Sequence, residues 1–232
     1  MRSKAKIIAL IITFILTAVS VQADVISVNF RREGKDAVTG EFGVVPSTNW
    51  VNVVIDTVNG TSVANVLGTG LNVTETSTTP GVVAVGDEAA WVGWANRAGV
   101  GRNGAALVSF ELTNIPYDNY YVIVYFSGWN AGVGAVDDGT TTYYYKFDGL
   151  AKPSLVQATS TDSASPSVAS YAVFGSAANP LTADSMTLTL TRIASMSGIG
   201  GFQIVQVPES KTIGLFLITS AGSLIFRKLK SI

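Results

Sequence analysis

The sequence predicts an all-β fold. Three observations lead there. The body of the 232-residue chain is rich in Gly, Thr, Ser, Val and Asn, with aromatic residues set in short runs. That mixture favours strands and turns over helices. Short apolar or alternating segments recur between Gly, Asn, Asp and Pro. No stretch of the body keeps a 3.6-residue apolar period.

The predicted strands are Val25–Phe30, Trp50–Ile55, Val82–Val85, Leu107–Leu112, Tyr120–Phe126, Thr141–Phe147, Ser170–Phe174, Met186–Arg192 and Phe202–Val207. Two of them declare their faces. Met186, Leu188 and Leu190 alternate with Thr187, Thr189 and Thr191, which predicts a half-buried strand with a Thr-lined solvent face. Ala106, Val108, Phe110 and Leu112 share one face, opposite Ser109 and Glu111. Tyr120–Phe126 is apolar on both faces and is expected near a sheet centre. The link Asn114–Asn119 between these last two strands is read as a hairpin connection. Tyr143, Tyr144 and Tyr145 fall on one strand with Tyr on both faces, read as core packing with one ring exposed. Strands without helices predict a two-sheet antiparallel β-sandwich, of jelly-roll type.

Both ends break this pattern. Arg2, Lys4 and Lys6 precede the apolar run Ile7–Ala18, then Val21 and Ala23. A basic start, an apolar core of about 12 residues and small residues form a secretory signal, cleaved between Ala23 and Asp24. The run is short of the roughly 20 residues that span a bilayer comfortably. No Cys follows it, which excludes a lipoprotein signal. At the other end Val207, Pro208, Glu209 and Ser210 precede the apolar run Thr212–Phe226, then Arg227, Lys228 and Lys230. Fifteen helical residues reach about 22 Å, and flanking basic side chains snorkel to extend that. The final basic cluster places the C-terminus in the cytoplasm and the body outside. The expected organisation is a signal helix over 1–23, a sandwich over 24–206 and a tail over 207–232 with a membrane helix over 212–226.

Pro-Glu-Ser, an apolar helix and a terminal Arg/Lys cluster resemble the bacterial PEP-CTERM sorting signal. Pro208 and Glu209 match the first two positions of its Pro-Glu-Pro motif, and Ser210 stands in place of the second Pro. The resemblance implies a Gram-negative cell and two processing partners, signal peptidase and an exosortase-type enzyme. It further implies transient anchoring in the inner membrane, removal of the tail, and delivery to the envelope surface or extracellular matrix. A plain C-terminal membrane anchor is the alternative. The body carries a second resemblance. Val28-Asn29-Phe30, Gly43-Val44-Val45-Pro46, Asn49-Trp50 and Gly198–Val205 are similar in outline to exported galactose-binding-like or carbohydrate-binding sandwiches. This resemblance bears on fold more than on function.

Charge and residue usage narrow the function. The chain holds 15 Lys and Arg and 16 Asp and Glu; three basic residues fall in the front segment and four basic and one acidic in the tail. Residues 24–208 therefore carry 8 basic and 15 acidic side chains, a net charge of about −7. Without a basic stripe, nucleic acid is not an expected partner. His and Cys are both absent. Ser-His-Asp and Cys-His nucleophile systems and imidazole-based zinc sites are thereby excluded. No cofactor is expected.

Candidate sites remain. Trp91, Trp94, Asn96, Arg97 and Arg102 lie in the Gly-rich stretch Gly86–Gly104. Indole faces stack on sugar C–H surfaces, and Asn and Arg hydrogen-bond hydroxyls. The same rings could instead cap the core, with Arg97 packed on one of them. Trp129 and Asn130 open a second Gly-rich stretch that could take a polysaccharide. Asp137 and Asp138 could offer oxygens to Ca²⁺, or form a solvated turn. Asp87 or Glu88 could pair with Glu111 or Asp148 as a glycosidase acid and base, though adjacent strand residues point to opposite faces, so Asp87 and Glu88 would not act together. Asn59-Gly60-Thr61 and Asn72-Val73-Thr74 match the N-glycosylation pattern, which in the bacterial host that the tail resemblance implies reads as a chance match. The Ser/Thr-rich stretch Thr159–Ser170 reads by default as a flexible surface loop, with an O-glycan site as the alternative. The expected function is a non-enzymatic exported protein of the surface or matrix with glycan binding. A carboxylate-based carbohydrate-active enzyme and a structural matrix subunit are the alternatives.

Overall fold

A computed structural model of the chain describes residues 23–31, 37–54, 62–63, 65–77, 107–146 and 155–209. The expected signal helix, the membrane helix over 212–226 and the strand near Val82–Val85 lie outside them. Asp24–Val207 forms one compact unit; the remaining ends form another, described only at Ala23, Pro208 and Glu209.

The described chain is all-β. In order the strands are β1 (Val25–Arg31), β2 (Trp50–Val54), β3 (Ser62–Val63), β4 (Asn72–Ser77), β5 (Leu107–Thr113), β6 (Tyr120–Asp137), β7 (Thr142–Lys146), β8 (Ser167–Val168), β9 (Tyr171–Phe174) and β10 (Ser185–Gln206). Among the described residues the helical content is one 3₁₀ turn, Val66–Gly68.

β6 and β10 organise everything else. They run antiparallel over most of their 18 and 22 residues, and their register shifts at Arg192/Ala194, Ala194/Met196 and Ile199/Gly201. Such bulges bend and twist a strand pair. The pair therefore serves two sheets. The first half of β10 and the second half of β6 join the order β3-β4-β5-β10-β6-β7-β8. The second half of β10 and the first half of β6 join the order β2-β1-β10-β6-β9. The sequence separates Met186–Arg192 from Phe202–Val207 and stops the earlier strand at Phe126. The glycines at 128, 132, 134, 198, 200 and 201 read there as turn signals, but they fall at or near the irregular stretch of the continuous strands.

The two sheets face each other across one core. Ile26, Val28 and Phe30 of β1, Val122, Val124 and Phe126 of β6, and Phe202 and Ile204 of β10 come from the second sheet. Phe110, Leu112, Leu188, Leu190, Val136 and Tyr145 come from the first. Phe30 stacks on Phe110 at 5.3 Å between ring centroids, and Phe126 on Tyr145 at 3.6 Å and 4°. The alternation read in β5 and β10 holds: Leu188 and Leu190 are buried while Thr187 is exposed. Tyr120–Phe126 is buried on both faces as expected.

Two expectations need correction. The sheets are mixed, not antiparallel throughout: β1 pairs with β2, and β7 with β8, in parallel. A parallel neighbour requires the chain to return over the sheet, and residues 37–49 are the described part of the connection that makes it between β1 and β2. Asn114–Asn119 is not a hairpin. β5 and β6 are not paired, because β10 lies between them in the first sheet.

Candidate functional site

Among the described residues the outer faces of the two sheets differ in how far they are covered. The second sheet's outer face is covered over β1 and β10, while Tyr121, Tyr171 and Val173 on its β6–β9 side are half-buried. Residues 37–49 of the β1–β2 crossover lie across it and bury Ser27, Asn29 and Gln203 completely.

A crossover with almost no strand or helix of its own must find partners for its N–H and C=O groups elsewhere. Side chains of the sheet supply them. Gln203 Nε2 donates to Val45 O at 2.8 Å and to Ser27 Oγ at 3.0 Å. Its Oε1 accepts from the Tyr125 hydroxyl at 2.5 Å and from Val45 N at 3.4 Å. Tyr125 in turn accepts from Val44 N at 2.6 Å. Asn52 repeats the device. Its Oδ1 accepts from Val38 N at 2.8 Å and from Asn29 Nδ2 at 2.9 Å, and its Nδ2 donates to Val38 O at 3.1 Å and Trp50 O at 3.2 Å. Each primary amide thus stands in for a neighbouring strand's peptide group. Asn29 Oδ1 is buried without a partner. Phe42, Trp50 and Tyr125 close the layer with ring centroids 5.7–6.1 Å apart. Burial, foremost, pushes the Tyr125 phenol far above its ordinary range; neighbouring Tyr171 and Tyr121 add to this and the Val44 bond opposes it. This layer is built, neutral and already occupied by the chain itself.

The first sheet's outer face is open. Register aligns Thr74, Glu111 and Thr187 in one row, and Ser109, Thr189, Asp137 and Thr142 in the next. Glu111 is exposed, and its direct cross-strand neighbours are threonines. The face is therefore a hydroxyl-rich surface flanked by Lys146, with no second carboxylate directly opposite Glu111.

Asp137 and Asp138 sit in the β6–β7 turn. Asp137 accepts from Gly139 N at 2.7 Å and from the Thr142 hydroxyl. Asp138 accepts from Thr140 N at 2.9 Å and Thr141 N at 2.7 Å. Both carboxylates cap the turn's own backbone. Among the described residues no group of three or more acidic side chains is placed to hold a metal ion.

Trp129 and Asn130 lie within β6, where Trp129 pairs with Met196 close to the register shifts. Trp91, Trp94, Asn96, Arg97, Arg102, Asp87, Glu88 and Asp148 lie outside the described residues, as do Ser210, Arg227, Lys228 and Lys230. Ala23 and Asp24 stand at the entry to β1. Val207 is half-buried at the exit of β10, and Pro208 and Glu209 are exposed. Entry and exit are adjacent: Gln206 N donates to Asp24 O at 2.9 Å, and Val207 N to Asn119 O at 2.8 Å. The same end carries Tyr117 and Tyr120, each raised to about 12 by burial first and then by Asp24 and Asp184 respectively.

The polar layer under the crossover is absent from the sequence reading. Its signal was a polar residue inside an apolar strand: Asn29 within Val28-Asn29-Phe30, and Gln203 within Phe202-Gln203-Ile204. No protein-family model matches the chain, and no curated protein matches it either.

Proposed function

We propose that this chain is an exported, non-enzymatic β-sandwich module of the bacterial envelope surface or extracellular matrix. The observation that carries the reading is the meeting of the two ends of the compact unit. Asp24 and Gln206 are hydrogen-bonded neighbours, so the chain enters and leaves the sandwich at one place. In sequence each end continues directly into a basic-flanked apolar segment. Entry and exit at one place suit a module delivered by a cleaved leader and held by a membrane helix. The crossover packed over Ser27, Asn29 and Gln203 and the absence of His and Cys from the chain support a non-catalytic role.

In this reading Pro208, Glu209 and Ser210 form the sorting motif for an exosortase-type enzyme, the helix over 212–226 is the transient anchor, and the winding is of jelly-roll type. The ligand class is a matrix polysaccharide, taken by Trp91, Trp94 and Trp129 with Asn96, Arg97 and Asn130. Intact mass of the protein recovered from envelope and medium tests the export part. Species lacking residues 1–23 are expected at the envelope, and species also lacking the tail in the medium. Full-length chain confined to the cytosol overturns it. A glycan array tests the ligand separately: no retained polysaccharide removes that part and leaves export standing.

A further inference from the structure

We propose that β10 is the closing strand of the sandwich: the body before it stays open until β10 inserts, and the slot it fills takes this segment even as a separate piece. β10 is the last of the described strands in sequence, yet it lies inside both sheets. Its first half pairs with β5 on one side and β6 on the other. Its second half pairs with β1 on one side and β6 on the other. The remaining described pairings sort into separate groups: β1 with β2; β3 and β4 with β5; and β7, β8 and β9 with β6. β10 binds one strand of each group.

It also brings the side chains that these groups bury against. Leu188 and Leu190 enter the core from the first sheet, Phe202 and Ile204 from the second, and Ile199 at the register shift. Each is at most 2% exposed. Burial of that many large apolar side chains is comparable with the whole margin by which a domain is stable. A two-stranded piece such as β1 with β2 is marginal alone. Leu112 and Val124, buried beside Met186 and Phe202, would lose that cover. The β1–β10 ladder joins Ser27 to Gln203 from 176 positions away, so it carries a loop-closure cost that earlier contacts do not repay. Both ends of β10 are then latched to one link: Ile115 N donates to Asp184 O at 2.9 Å, and Val207 N to Asn119 O at 2.8 Å. Closing last would keep an exported body threadable, but the inference rests on the pairing and not on the export reading.

A protease site inserted between Ala177 and Ala178, both exposed in the β9–β10 link, tests this on the full-length protein in mild detergent. The protein is folded, nicked, and its two pieces separated in denaturant. Returned to buffer alone, the piece ending at Ala177 should exchange its β5 and β6 amides at least about 100-fold faster than the nicked whole. Adding back the piece that begins at Ala178 should restore slow exchange. Protection kept without β10 overturns the proposal, as does protection that the second piece fails to restore. Pulse-labelled refolding of the unaltered chain serves if the insertion misfolds. Amides of β1 and β5 should gain protection no earlier than those of β10; protection at least about tenfold sooner overturns it.

Discussion

The side-chain amide of Gln203 pairs with the main chain of Val45 in both directions, donating to its C=O at 2.8 Å and accepting from its N–H at 3.4 Å. The same amide binds Ser27 and Tyr125, so its four hydrogen-bonding positions are all used. One side chain therefore fixes the crossover to β1, β6 and β10 together.

Gln203→Ala should accordingly destabilise the sandwich by about 3 kcal/mol, since it strands buried N–H, C=O and hydroxyl groups at once. Urea unfolding monitored by tryptophan fluorescence measures it. A loss below about 0.5 kcal/mol would show that water replaces the amide and that the crossover is not held this way.

Gly43 should not tolerate a side chain. It has φ of +107°, and a Cβ there would sit 2.6 Å from Gln203 Oε1. Gly43→Ala combines backbone strain with displacement of the amide, and a cost above about 2 kcal/mol is expected. Gly139 has φ of +87° but open space around it, so Gly139→Ala should cost only about 1 kcal/mol. Equal midpoints for the two variants in denaturant would contradict the close approach at Gln203.

Alkaline pH should weaken the fold through its tyrosines. The phenols of Tyr117 and Tyr120 are raised from 10.0 to about 12, and that of Tyr125 is raised further. A raised folded value means the folded state keeps its protons longer than the unfolded chain. The associated stability is complete below about pH 10 and is lost as pH rises through about 12 for Tyr117 and Tyr120. Stability measured between pH 9 and pH 12 should fall over that window, with phenolate absorbance lagging behind that of free tyrosine. Tyr125→Phe should flatten part of the fall while lowering stability at neutral pH. Phenolate appearing at the free-tyrosine midpoint in folded protein would rule this out.

The two sheets are joined through the Phe30–Phe110 stack. Phe110→Ala opens a cavity in the shared core and should cost about 3–5 kcal/mol. Phe110→Leu, which keeps most of the volume, should cost less than half of that. Calorimetric unfolding distinguishes them. Similar small losses for both would mean that the sheets are held elsewhere.

Much of this architecture is legible in the chain. Thr187 to Thr191 alternating with Leu188 and Leu190 sets a strand with one wet face, because side chains on a strand switch sides at every residue. The double-sided apolar run Tyr120–Phe126 sets a strand covered twice. Tryptophan and glycine stretches, by contrast, suggested sites without saying what they meet. Asp137 and Asp138 illustrate the limit: adjacent carboxylates read first as a solvated turn and second as Ca²⁺ ligands, and the structure spends them on Gly139, Thr140, Thr141 and Thr142.

By itself, then, the order of residues determined strand character, the inward faces, the lack of imidazole and thiol chemistry, and the two basic-flanked apolar ends. All are local properties, written in periodicity and composition. The tertiary structure alone decided that β6 and β10 are shared by both sheets, that β1 and β2 run parallel, and that Gln203 meets Val45 from 158 residues away and Ser27 from 176. Periodicity fixes which way a side chain points but not which segment arrives to face it. That choice belongs to the packing of the whole chain, where Val44 N and the N–H and C=O of Val45 find their partners on distant strands.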